Sequence, residues 1–172
     1  MANNIGKKLR LILFEDCNRN CEGCCNKDWN ISGLPSPISF KDWGLVMLTG
    51  GEPMLRPQII KHTVRMIRKE TDAPIYLYTA KVDNIPLVLE ILNMIDGITI
   101  TLHDNGDVQP FLLLNQAMAR EYCNNIVKSF RLNVFKNITL HHVDLANWIV
   151  KDNIEWIKNC QLPDGEVLMK LV

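Results

Sequence analysis

The stretch LRLILFEDCNRNCEGC, Leu9 to Cys24, decides how the rest of the chain is read. Its first six residues are mostly apolar and predict a buried first strand. Its last eight carry Cys17, Cys21 and Cys24. Three thiolates on one tight loop nearly enclose a metal site and leave one position open, and an open position is where chemistry enters. The loop stands at the carboxyl end of the predicted strand, where α/β proteins usually place their ligands.

Ligand arithmetic favours an iron-sulfur cluster over zinc. A structural zinc site wants four ligands from two spaced pairs. Here Cys25 adjoins Cys24 and is read as pointing elsewhere, Cys123 and Cys160 stand alone in predicted helices, and no histidine lies nearby in sequence. Zinc, and fortuitous buried cysteines, stay open at this point. Cys25, Cys123 and Cys160 are expected to be ordinary buried thiols.

A second motif, TGGEP (Thr49 to Pro53), follows the apolar run LVML (Leu45 to Leu48). Two glycines at a strand end let the backbone turn and approach a ligand with no Cβ in the way, while Pro53 stiffens the exit. Taken alone it also reads as a plain strand-to-helix turn.

The two motifs together resemble the radical S-adenosylmethionine (radical SAM) enzymes, whose signature is Cys-x3-Cys-x2-Cys after the first strand and a Gly-Gly-Glu-Pro-like segment after the second. The resemblance covers roughly Leu9 to Phe135. It implies that Cys17, Cys21 and Cys24 hold three irons of a 4Fe-4S cluster while the methionine part of SAM chelates the fourth. It also implies that Gly50, Gly51, Glu52 and Pro53 form the SAM-binding segment, with Gly50, Gly51 and Glu52 at the amino group. A low-potential electron donor such as flavodoxin or ferredoxin is implied as partner.

Bulk properties add little. A length of 172 residues suits one domain, expected to span residues 1–172, and 47% hydrophobic with 22% charged residues is ordinary for a globular protein. Nineteen basic residues balance nineteen acidic ones, so charge makes no case for nucleic acid or a membrane surface. The N-terminal KKLRLILF is too short in its apolar part for a signal peptide and leads straight into the cysteine loop. Six cysteines read without disulfides imply a cytoplasmic setting.

Beyond the second motif, strand and helix alternate. Helices are expected over Arg56 to Glu70, Ile85 to Ile95, Val108 to Cys123 and Leu145 to Asn159, the last with Trp148 and Trp156 on one core face. Strands are expected at Ile75 to Thr79, Gly97 to His103, Arg131 to Phe135 and Val167 to Val172. Such alternation means a parallel sheet, and the resemblance implies an α/β fold with an open six-stranded parallel β/α partial barrel. Its first helix is shortened, since PSPISFKDWG leaves room for about one turn capped by Ser39.

Strand alternation turns Tyr76, Tyr78, Thr99, Thr101, His103, Arg131 and Asn133 toward the interior, and sends Ile98, Ile100, Leu102, Leu132 and Val134 to the helices. So polar an interior reads as a binding cavity. His103 and Arg131 are the catalytic candidates, and Thr101 and Asp104 are candidates for cofactor contact. Lys61, Arg65, Arg68 and Lys69 read as a solvated helix face. His141 and His142 are adjacent, so a paired metal role is not expected.

The substrate is the least determined part. The string CEGCCNKDWN (Cys21 to Asn30) is similar to a segment of the activating enzymes for anaerobic ribonucleotide reductase, which implies a glycyl-radical enzyme as one alternative partner. Cys25 stands where those enzymes have an aromatic residue. The preferred expectation is hydrogen abstraction from a small molecule, nucleotide or peptide. A non-catalytic iron-sulfur or electron-transfer module is the remaining alternative.

Overall fold

The computed structural model of this chain describes residues 6–122 and 127–171. Seven strands form a single, wholly parallel sheet in the order β6-β5-β4-β3-β2-β1-β7. They are β1 (Lys8–Ile12), β2 (Leu45–Thr49), β3 (Ile75–Thr79), β4 (Gly97–Leu102), β5 (Ser129–Phe135), β6 (Ile149–Ile154) and β7 (Glu166–Lys170). The sheet is not closed, because β6 and β7 each have one strand neighbour. The α/β class and the open parallel arrangement are as expected, but there are seven strands where six were expected.

The extra strand is β6, which lies within the helix expected over Leu145 to Asn159. Ile149, Val150, Ile154 and Ile157 match helical spacing, yet they are β-branched, and Asp152 and Asn153 between them are poor helix formers. The free edge of β5 offers this segment a ladder, with Arg131 opposite Ile149 and Asn133 opposite Lys151. Trp148 and Trp156 therefore do not share a face. Trp148 is buried against Phe111 and Phe130, at ring-centroid distances of 5.1 and 5.6 Å, whereas Trp156 packs on His103 and Phe135. The last strand pairs with β1, at the far edge of the sheet from β6. Val172, its expected end, lies outside the described residues, as does Cys123.

Three helices cover one face: α2 (Pro57–Arg68), α3 (Ile85–Leu92) and α4 (Val108–Glu121), preceded in the chain by a four-residue turn, α1 (Cys25–Asp28). Pro57 starts α2 where its missing N–H costs nothing. The core lies between sheet and helices and takes alternate strand residues: Leu9 and Leu11, Val46 and Leu48, Ile75 and Leu77, Ile98, Ile100 and Leu102, Phe130, Leu132 and Val134. The intervening residues therefore face away from the helices, on the opposite side of the sheet.

No helix crosses from β1 to β2. Ser39 caps nothing helical; its hydroxyl donates to the Glu70 carboxylate at 2.7 Å, and the Phe40 amide does so at 2.8 Å. Pro35 and Pro37 hold this connection extended, and Phe40, 3% exposed, fills the core where a helix would lie.

The basic face of α2 is only partly solvated. Lys61 is buried and pairs with Glu90 at 2.6 Å, and Arg68 pairs with Asp96 at 2.5 Å; Arg65 and Lys69 are exposed as expected. Cys25 and Cys160 are not ordinary thiols either. They are joined as a disulfide, with Cα atoms 5.2 Å apart, because the chain between β6 and β7 passes over α1. Among the described residues no helix is long and apolar enough to cross a membrane.

Candidate functional site

Cys17, Cys21 and Cys24 are free thiols on the loop that leaves the carboxyl end of β1. Two sets of contacts hold this loop. Toward β4, Arg19, between the first two cysteines, makes a paired guanidinium–carboxylate contact with Asp107, one bond of it at 3.0 Å. Asp107 is 4% exposed, and its Oδ2 also accepts the His103 amide at 2.7 Å and the Asp104 amide at 3.3 Å. One buried carboxylate thus ties the cysteine loop to the end of β4.

Toward β2, the loop is fastened to the TGGEP turn. The amides of Gly51 and Glu52 donate to the carbonyls of Phe14 and Asp16, both at 2.8 Å, Asn26 Nδ2 donates to the Gly50 carbonyl at 2.7 Å, and Arg56 pairs with Asp16. This contact explains the glycines. Gly50 has φ 142°, and a Cβ there would lie 2.5 Å from the Phe14 carbonyl oxygen. A Cβ on Gly51 would fall inside the backbone of Glu15 and Asp16. The close approach that these glycines permit in this structure is therefore to the base of the cysteine loop.

Glu52 is 3% exposed. Its Oε1 accepts from the Met54 amide at 3.0 Å and from the Thr79 hydroxyl; its Oε2 accepts from the amides of Ala80 at 2.9 Å and Lys81 at 3.2 Å. The carboxylate braces the ends of β2 and β3. All four donors are neutral, so its negative charge has no cationic partner among the described residues.

Between these elements lies a cleft of about 240 Å³. The three cysteines, Gly51, Glu52, Thr101 and His103 line it together. Gly50 and Pro53 are not among its lining residues. Asp104 borders an adjoining recess instead, capping the turn over Asn105–Asp107 by accepting the Gly106 amide at 2.7 Å. Arg131 is not in the cleft. It is exposed toward the amino end of the sheet, 5.4 Å above the Tyr76 ring, because β5 needs two further residue pairs to reach the cleft's level.

His103 is half-buried, stacked on Trp156 at 5.4 Å with 8° between planes and tilted against Phe135 at 5.1 Å. Burial, and then the Arg19 guanidinium, push its pKa below the ordinary value. Its Nδ1 is buried without a partner, as are Arg19 Nε and, further down the same side of the sheet, Thr99 Oγ1. Such atoms carry a desolvation cost that a polar ligand would relieve.

The donor set is of the kind that an iron-sulfur cluster takes, thiolates beside polar groups. The cleft has three free thiols, an uncompensated carboxylate and two unpartnered polar atoms. Among the described residues no three side chains converge on one mononuclear metal position; a cubane takes one thiolate per iron and does not require them to.

Arg19, Asp107, Asn26, Arg10, Tyr78 and Trp156 are site residues that sequence reading did not single out for this site. Arg19 had a signal, since it sits inside the cysteine motif. Tyr78 was read as inward but given no partner; Arg10 lies 5.1 Å over its ring and donates to Glu166 at 2.8 Å. Trp156 had no signal, being brought in by the path of the chain after β6. A separate cavity of about 360 Å³ lies between α4 and the segment with His141 and His142, away from the cysteines. No protein-family model matches this chain, and no curated protein matches it.

Proposed function

We propose that this chain is a radical SAM enzyme that acts on a small molecule, nucleotide or peptide. The observation that carries this reading is the single cleft in which the free thiols of Cys17, Cys21 and Cys24 meet the Gly51–Glu52 turn. A 4Fe-4S cluster with SAM, when bound, supplies reductive cleavage of the sulfonium and a 5'-deoxyadenosyl radical that takes a hydrogen atom from substrate.

The chain's own residues do the positioning. Cys17, Cys21 and Cys24 would hold the cluster through three irons and leave one open. The Glu52 charge favours an ammonium group at the end of β2. The Arg19–Asp107 and Asp16–Arg56 contacts fix the cysteine loop against two strand ends, so the cluster end and the SAM end of the cleft keep one distance. Trp156, packed on Phe135, supplies an apolar wall, and His103 Nδ1 offers a polar contact to whatever reaches it.

A small substrate is favoured over a glycyl-radical partner because the chain between β6 and β7 crosses the sheet side away from the helices at the cleft, narrowing the entry for a folded protein's loop. The test is anaerobic reconstitution with iron and sulfide, followed by reductant, SAM and candidate substrates. 5'-Deoxyadenosine formed in proportion to reductant supports the proposal. A protein that takes up zinc and no iron, or an iron-loaded protein that never cleaves SAM, overturns it.

A further inference from the structure

Residues 155–165 connect β6, at one edge of the sheet, with β7, at the other. Their contacts put them across the side of the sheet away from the helices. Trp156 stacks on His103 and lies 4.3 Å from the Phe135 ring centroid. Its Cβ and Cγ also stand 2.5 and 2.8 Å from where a Cβ on Gly23 would be, so a glycine before Cys24 is what lets the strap lie on the cysteine loop. Four residues on, Cys160 is bonded to Cys25. Its carbonyl accepts from Trp29 Nε1 at 2.9 Å and its amide donates to Asp28 at 3.1 Å. Between these two attachments, Ile157, Lys158 and Asn159 are exposed and belong to no helix or strand.

We propose that Cys25 and Cys160 are a reversible dithiol–disulfide site that latches this strap over the cleft, with low-molecular-weight thiols or a dithiol reductant as its reaction partner. Both cysteines are half-buried, so an attacking thiolate reaches them without unfolding the sheet. The bond joins the first residue of the short α1 to an irregular segment 135 residues away, and neither end contributes to the sheet's ladder. Opening it is therefore a local event.

The exchange runs in two steps. A thiolate attacks one sulfur of the pair, the disulfide bond breaks, and the other cysteine leaves as thiolate. A second thiol then displaces the first cysteine from the mixed disulfide. The pair takes up two electrons and two protons, and one molecule of external disulfide is released. The reduced strap keeps the Trp156 seat, the two hydrogen bonds of Cys160, the Lys136–Glu155 ion pair at its start and the packing of Leu162 toward its end, but loses its covalent tie to α1, which leaves Trp156 able to swing off His103 and widen the cleft. Cys25 and Trp156 both line that cleft, so the state of the pair is felt where the three free thiols lie. None of this depends on which group those thiols hold.

The test uses full-length protein equilibrated in a series of glutathione buffers of increasing oxidation. Each sample is acid-quenched, alkylated and mapped by mass spectrometry, and a parallel sample is timed for tryptic cleavage after Lys158. Cys25 and Cys160 are expected to leave the alkylated pool together and appear as one cross-linked peptide. Cleavage after Lys158 is expected to slow at least about tenfold in the oxidised protein, since proteolysis follows the open population. Cys160→Ser and Cys25→Ser proteins are expected to be cleaved at the reduced rate in every buffer. Linkage of Cys25 to another cysteine, a pair that reduces only in denaturant, or equal cleavage rates in both states each overturns the latch. These readouts need neither cluster nor SAM, so they stand or fall separately from the proposed activity.

Discussion

Replacing Glu52 with Gln separates a structural brace from a ligand contact. The amide has the carboxylate's shape but only one acceptor oxygen, while four donors converge on Glu52. With the amide nitrogen at the Oε2 position, the Lys81 amide keeps the Thr79 hydroxyl as acceptor at 3.1 Å and the Ala80 amide is left without one. With it at the Oε1 position, the Thr79 hydroxyl turns its proton toward the Lys81 carbonyl, 3.4 Å away, and the Met54 amide is left without an acceptor. Either orientation leaves one buried donor unsatisfied. One buried donor left unsatisfied costs about 1 to 3 kcal/mol, and a value of about 2 kcal/mol is expected. For a chain of this size that corresponds to a fall in Tm of roughly 4 to 8 °C. Thermal and urea denaturation followed by circular dichroism measure it. A variant that loses SAM binding while its Tm stays within about 1 °C of the parent refutes the brace, because the four donors would then have found water.

Three further outcomes are expected. Replacing Cys17, Cys21 or Cys24 with Ala should abolish retention of about four irons after anaerobic reconstitution, whereas Cys25→Ser and Cys160→Ser proteins should retain them; iron and sulfide analysis decides. Gly51→Val should weaken the fold and the cysteine loop together rather than SAM binding alone, since the new side chain meets the backbone of Glu15 and Asp16; denaturation and iron content measured on one sample would expose a purely local defect. His103 has a depressed pKa, so the native state binds fewer protons than the unfolded chain and stability rises with pH. The His103 contribution is therefore present above the ordinary value of 6.5 and is lost as pH falls below it; urea midpoints across pH 5 to 8 should show a slope that His103→Phe removes.

The strands were legible because each carries its own evidence. Ile98, Ile100 and Leu102 alternate with Thr99 and Thr101, and a period of two has only one outcome once a hydrophobic face is buried. The cysteine loop and the TGGEP turn were legible for a similar reason, since spacing within a dozen residues limits what their side chains can do. The segment after Leu145 was misread because its apolar spacing suits a helix as well as a strand. The choice was made by the unpaired edge of β5, which lies far away in sequence.

Sequence by itself determined the parallel α/β order, the inward polar face and the three clustered thiols, all of which follow from local periodicity and short-range spacing. Tertiary structure decided what those parts touch. It set Arg19 on Asp107, gave Glu52 to three donors at the end of β3, and put Gly51 against Asp16. It left Arg131 outside the cleft, and it brought Trp156 and Cys160 over the cysteine loop. Each of these contacts joins segments dozens of residues apart, and no local pattern records them, because they depend on which strands become neighbours and on the side of the sheet over which the chain returns.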